Sequence, residues 1–266
     1  HSRVHLSMSE PKAYACTGTP EPFYTLNVTM GFVSVRELHA AAKAHGASIT
    51  EYLAAILLQS ILIRQRREGH RRELPGSLAV PINLRPYFPS TTLRNFILTV
   101  RPSINPELGD YTLDEIIAQV HHHMRLHITR QEMQAVITKN VSLQHILPLQ
   151  LVPSPVKNFA MDLGYRIVGN RPYSTTFTNP GIFQVPEEME SLIHHMEVVL
   201  GQSYTQRVNC AAISFGDIME ITFAGTVRES DVEREFFRTL VREGLHVKVT
   251  SNRKECVLCH TASTVE

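Results

Sequence analysis

The stretch "YLAAILLQSILI" (Tyr52–Ile63) sets the tightest limit on what this chain can become. Its length and composition predict a helix, and almost every side chain on it is apolar. Ser48 and Glu51 open it as a capping box, the hydroxyl capping a backbone N–H and the carboxylate reaching back to the cap residue. A helix that is apolar nearly all round has no face to give to water, so a sheet and other elements must enclose it. The run falls short of the ~20 apolar residues that span a bilayer, contains Gln59 and Ser60, and ends in arginines. It therefore reads as a core helix. A chain of 266 residues with 43% hydrophobic content is large enough to build that core.

The flanking sequence supplies the enclosing elements. Three more Ser/Thr-x-x-Glu boxes predict helix starts: Ser34…Glu37, Thr112…Glu115 and Ser230…Glu233. The first helix closes near Gly46. The second carries Ile116, Ile117, Val120 and Met124 at helical spacing. The third places Val232, Phe236, Phe237, Leu240 and Val241 on one side and stops at Gly244. A further helix is expected to begin at Ser154-Pro155. Strand-like runs lie between: "SLAVPIN", "FILTVR", "YSTTFTN", "MEVVLG", "VNCAAISF", "IMEITFAG" and "HVKVT". Gly216-Asp217 joins two of them as a hairpin. The expected fold class is α/β, an α+β two-layer sandwich with a mixed β-sheet and helices packed on one face. One domain over 1–253 is expected, followed by a mobile tail over 254–266.

A net charge of +1 gives no reason to expect a nucleic-acid partner. Arg64, Arg66, Arg67, Arg71 and Arg72 cluster after the core helix, reading as a solvated helix end or as a site for a phosphorylated ligand. Cys16, Cys210, Cys256 and Cys259 are too few and scattered for a disulfide framework, so a reduced, cytoplasmic setting is expected. "CVLCH" (Cys256–His260) has the form of a c-type haem attachment site, of half a zinc ribbon, or of a plain tail. His123 and His127 stand at i, i+4 and could share a metal, but no H-E-x-x-H completes the pattern, and a polar helix face accounts for them. The His194-His195 pair lacks an Asp-Gly three residues on, where Val199 and Leu200 stand, and is not read as catalytic.

The order of segments carries a resemblance. "GASITEYLAAILLQSI" precedes "VPINLRPYFPSTTLRNF", then "RPYSTTFTNPG", then "NCAAISFGDIMEITF" with "REFFRTLVREGLHVKV". This succession, over roughly 23–253, resembles the C-terminal half of the chloramphenicol-acetyltransferase-like superfamily. That group includes condensation domains, wax-ester synthases and bacterial alcohol acetyltransferases, the last being the nearest in look. Thr50-Glu51 stands where the wax-ester synthases carry Asn-Asp.

The resemblance implies an enzyme of two halves with a tunnel between them. Its His-His-x-x-x-Asp-Gly motif belongs to the N-terminal half, where the second His acts as general base on an acceptor hydroxyl. This chain, which starts at His1, is expected to be the other half and to be inactive alone. By the same resemblance Thr178 in "FTNPG" would donate a hydrogen bond to the developing oxyanion, with Asn179 shaping the turn. Arg85 and Asn95 would line or brace the tunnel, or tie strands and loops. No tightly bound cofactor is implied; acetyl-CoA or another acyl-CoA would be the co-substrate and an alcohol the acceptor. The expected partners are the N-terminal half of the same protein and, through the face it leaves bare, a second copy of the chain. The alternative is a non-catalytic module that holds an acyl carrier or lipid.

Overall fold

The computed structural model describes residues 12–22, 25–69, 72–144, 173–202 and 206–253. The Ser154 helix start, Arg71 and the "CVLCH" motif lie outside them.

The apolar stretch forms α2 (Ile49–Glu68), which follows β1 (Asn27–Ser34) and α1 (Val35–Ala44). Every residue from Glu51 to Leu58 is buried, as are Ser60, Ile61, Leu62, Arg64 and Gln65. Most polar groups of that list are accommodated, though the Tyr52 hydroxyl and one Arg64 guanidinium nitrogen have no hydrogen-bond partner among the described residues. The Ser60 hydroxyl donates to the Ile56 carbonyl at 2.8 Å, and the Gln65 amide exchanges bonds with the Leu74 backbone at 2.8 and 2.9 Å. Arg64 pairs with Glu68 and donates to the Thr17 carbonyl.

Beyond α2 the chain forms β2 (Gly76–Asn83), β3 (Ile97–Val100), β4 (Ser103–Ile104), α3 (Leu113–His127), α4 (Arg130–Gln144), β5 (Thr175–Thr178) and α5 (Glu187–Glu190). The hairpin β6 (Val208–Phe215) and β7 (Ile218–Gly225), α6 (Asp231–Arg242) and β8 (Lys248–Ser251) complete the described elements. The strands make one open mixed sheet in the order β3-β2-β5-β6-β7-β1-β8, with β4 also pairing β2. β2, β5 and β6 run parallel; the remaining pairs are antiparallel.

Alternation of side chains gives the sheet two unlike faces. Val208, Cys210 and Ala212 of β6 and Met219, Ile221 and Phe223 of β7 join the core with Leu53, Leu57 and Phe236. α2 packs on β2, α1, α3 and α6, so the helices gather on this one face. α6 approaches β1 closely because Gly31 has no side chain; a Cβ there would fall on the Phe237 ring. No single described helix is long and apolar enough to cross a membrane.

Four details differ from the sequence reading. Ser34 caps α1, but Glu37 bonds His246 instead of reaching back. Ser230 stands at the N-cap of α6, but its side chain makes no cap bond; its hydroxyl accepts from Arg234, and Glu233 is drawn to Arg253 at 2.6 Å. Asp231 and Glu233 still suit the positive end of α6. Val241 is 56% exposed, on the side of α6 that borders the uncovered strand β8. "MEVVLG" is not a strand. Side chains take its backbone bonds: Val198 N–H donates to Glu220 and the Gly201 carbonyl accepts from Asn209.

Gly31→Ala is expected to cost about 1–3 kcal/mol through overpacking against Phe237. Urea unfolding measures it, and pairing it with Phe237→Leu should restore part of the loss. An unchanged midpoint for Gly31→Ala would show that α6 can lift off β1 at no cost.

Candidate functional site

The parallel strands β2, β5 and β6 deliver three connections to the same end of the sheet: the loop after Asn83, the turn after Thr178 and the Gly216-Asp217 hairpin. β1 runs in the same sense, being antiparallel to β7, so Ser34 lies there too. The C-terminal ends of parallel strands are where open α/β sheets hold ligands, because their connections diverge there.

Thr178 closes β5 opposite Ala211 of β6. Phe177 points into the core, so Thr176 and Thr178 point to the face away from the helices. The hydroxyls of Thr175 and Thr176 are engaged, by the Val208 carbonyl and by Gln206 at 3.1 Å. The half-buried Thr178 hydroxyl makes no hydrogen bond among the described residues. Beyond it, Asn179 is a double clip. Its carbonyl accepts from Gly181 N–H at 3.0 Å, and its amide donates to Thr50 Oγ1 at 3.1 Å. Gly181 adopts φ 87°, which favours glycine, and its carbonyl takes the Ser214 N–H at 3.1 Å. The turn after Thr178 is thus fixed to both β6 and the start of α2.

Glu51, beside Thr50, completes its capping box and meets His121 at 3.3 Å. Burial alone would raise its pKa; the hydrogen bonds from Ser48, with the His121 ring close by, prevail and hold it below the usual carboxylate range.

Arg85 and Asn95 lie on the exposed loop at the same end of the sheet. The Arg85 guanidinium donates to the carbonyls of Thr92 and Arg94, both at 3.1 Å, and its backbone N–H donates to Asn83. Among the described residues no hydrogen bond joins Arg85 or Asn95 to Thr178 or Asn179. The other arginine cluster is spent on carboxylates: Arg64 on Glu68, Arg66 on Glu73 and Asp110, Arg67 on Glu235, and Arg72 on Glu107. The His123 and His127 rings lie tilted against each other with centroids 4.4 Å apart. Burial first, and then the His127 charge, push His123 down to about 4. Among the described residues no three His, Cys, Asp or Glu side chains converge as a metal site would need.

Two further residues were not legible in the sequence. Glu220 and Thr222 share the Thr178 face of the sheet, since Thr222 lies opposite Ala211. Glu220 is fully buried, with one oxygen on Val198 N–H at 3.3 Å. Its other oxygen, the Thr222 hydroxyl, and the side-chain carbonyls of Gln202 and Asn209 have no hydrogen-bond partner among the described residues. Burial pushes the Glu220 carboxyl up to about 7; the Val198 N–H offsets part of this and the Glu197 charge adds to it. Strict alternation in "IMEITF" marks Glu220 as facing away from the core helices, but cannot show that residues 193–202 pass over it.

No family model matches the sequence, and no curated protein matches it. Solved structures do resemble the fold. The nonribosomal peptide synthetase FmoA3 is 16% identical over 88% of this chain and 23% of its own, with a TM-score of 0.57. TRI3 trichothecene 15-O-acetyltransferase from Fusarium sporotrichioides is 12% identical over 86% of this chain and 48% of its own, at 0.54. The wax ester synthase/diacylglycerol acyltransferase from Marinobacter aquaeolei VT8 is 11% identical over 88% and 53%, at 0.50. The chain spans between about a quarter and a half of the length of these proteins. It shares its mixed-sheet fold with these proteins.

A carboxyl whose pKa rises from 4.5 to about 7 on folding holds an extra proton in the native state between those values. The associated stability is fully present below about pH 4.5 and is lost as pH rises through about 7, a difference on the order of 3 kcal/mol. Glu220→Gln cannot ionise, so it should gain on the parent between about pH 5 and pH 8 in denaturant unfolding. Parallel stability curves for the two proteins would mean that Glu220 does not titrate in this range.

Proposed function

We propose that this chain is the C-terminal half of an acyl-CoA-dependent O-acyltransferase of the alcohol acetyltransferase kind, in which Thr178 stabilises the reaction's oxyanion. The observation that carries the reading is the Thr178 hydroxyl. It is the one β5 threonine hydroxyl left without a partner among the described residues, and it stands at the end of a strand clamped by Asn179 to Thr50. A donor held ready in this way needs no reorganisation when negative charge develops in front of it. The fold it shares with acyltransferases and condensation domains supports the reading.

In the proposed reaction, a histidine from the N-terminal half removes the proton from the acceptor hydroxyl. The oxygen attacks the thioester carbonyl, and the Thr178 Oγ–H donates to the resulting oxyanion. Collapse breaks the C–S bond, and the histidine returns the proton to the departing thiolate. Asn179 acts by holding the turn. Arg85 and Asn95 border the substrate entrance at the same end of the sheet, Arg85 by bracing the loop between β2 and β3.

The isolated chain should show no acetyl-CoA turnover above a Thr178→Ala control. In the two-halved protein, Thr178→Val should lower kcat about a hundredfold, with KM for acetyl-CoA little changed and unfolding unaltered. Full activity of that variant would remove Thr178 from the mechanism and favour the module that only binds an acyl carrier or lipid.

A further inference from the structure

The sheet extends one strand beyond its helix layer. β8 pairs only with β1 among the described strands, and its register sets Val249 opposite Gly31 and Ser251 opposite Thr29, on the side that α6 covers. α6 lies tightly on β1 through Phe237 and leaves β8 uncovered, all four of its residues being exposed. Val249 on the strand and Val241 on the helix therefore remain about half exposed, at 48% and 56%. Between them runs a groove of about 660 Å³, floored by these valines with Phe237 and Val247. That size suits a small ligand, for which pockets measure roughly 300–1,000 Å³, and not a protein partner.

The rim is cationic. Arg234, Arg238 and Arg242 recur every four residues along α6, a rise of about 12 Å, and Arg253 closes one end. The end arginines are neutralised: Arg242 by Glu235 at 2.8 Å and Arg253 by Glu233 at 2.6 Å. The central pair is not. Arg234 bonds only the Ser230 hydroxyl, and Arg238 has no hydrogen-bond or ion-pair partner among the described residues.

The geometry points to a binding site for a single-chain anionic amphiphile, a free fatty-acid anion, with its carboxylate between Arg234 and Arg238 and its chain along Phe237, Val241 and Val249. Two uncommitted cations one turn apart match a carboxylate, while an apolar trough gives the chain a dry bed. The site is distinct from the proposed acyl-transfer site. It lies four strands from β5 and on the opposite face of the sheet from Thr178.

Calorimetric titration of the chain with dodecanoate, below its micelle concentration, tests this. One dodecanoate per chain is expected, and dodecyltrimethylammonium, with the same tail and opposite charge, should not bind. Arg238→Gln should weaken dodecanoate about tenfold while Arg238→Lys keeps most of the affinity, and Val241→Asp should abolish it. Both positions are exposed, so circular dichroism melts should match the parent. Equal binding of the cationic amphiphile, an affinity indifferent to Arg238→Gln, no binding, or association only with phosphatidylglycerol vesicles would each overturn the assignment.

Discussion

The enclosure of α2 is the constraint on which the rest of this structure depends. Its buried apolar surface cannot be satisfied by one neighbour, so β2 lies beneath it and α1, α3 and α6 surround it. Burying a leucine or isoleucine side chain is worth roughly 1.5–3 kcal/mol, and α2 buries six of them. That burial also pins the helix at both ends. At its C-terminal end Arg64 ties Glu68 and the Thr17 carbonyl, and the Tyr14 hydroxyl donates to Glu68. At its N-terminal end Thr50 receives the amide of Asn179, so the position of the core helix is transmitted to the turn that follows Thr178.

The sheet then divides the chemistry. One face is given to the helices and is apolar. The other carries threonines, Asn209 and Glu220, several of whose polar atoms lack partners among the described residues. Buried acceptors of this kind are costly unless water or another molecule completes their bonds. They lie on the face that also bears the Thr178 hydroxyl, whereas the cationic groove sits at the far edge on the helix side. The two regions follow from different causes: one from strand ends and side-chain alternation, the other from a sheet that is wider than the helices covering it.

Much of this architecture is legible in the sequence because it rests on local pattern. The Ser48 and Thr112 boxes begin helices as expected, since both partners of each box lie within one turn. The Gly216-Asp217 hairpin and the β2-loop-β3 element follow from turn residues between strand-like runs. Ser230…Glu233 fails as a box because distant groups compete for it: Arg253, twenty residues on, takes the glutamate. "MEVVLG" fails as a strand for a similar reason, its backbone partners being side chains of β6 and β7.

By itself, then, the sequence determined that a helix apolar nearly all round must be sandwiched in a mixed sheet-and-helix fold, whereas Thr178 and Asn179 were marked only by the resemblance that its order of segments carries. Periodicity and capping are short-range properties, so a linear reading reaches them. Only the tertiary structure decided that Asn179 meets Thr50, 129 residues away; that Glu220 is sealed from water; and that α6 leaves β8 uncovered. Each of those depends on which elements become neighbours, and long-range packing settles that, not local preference.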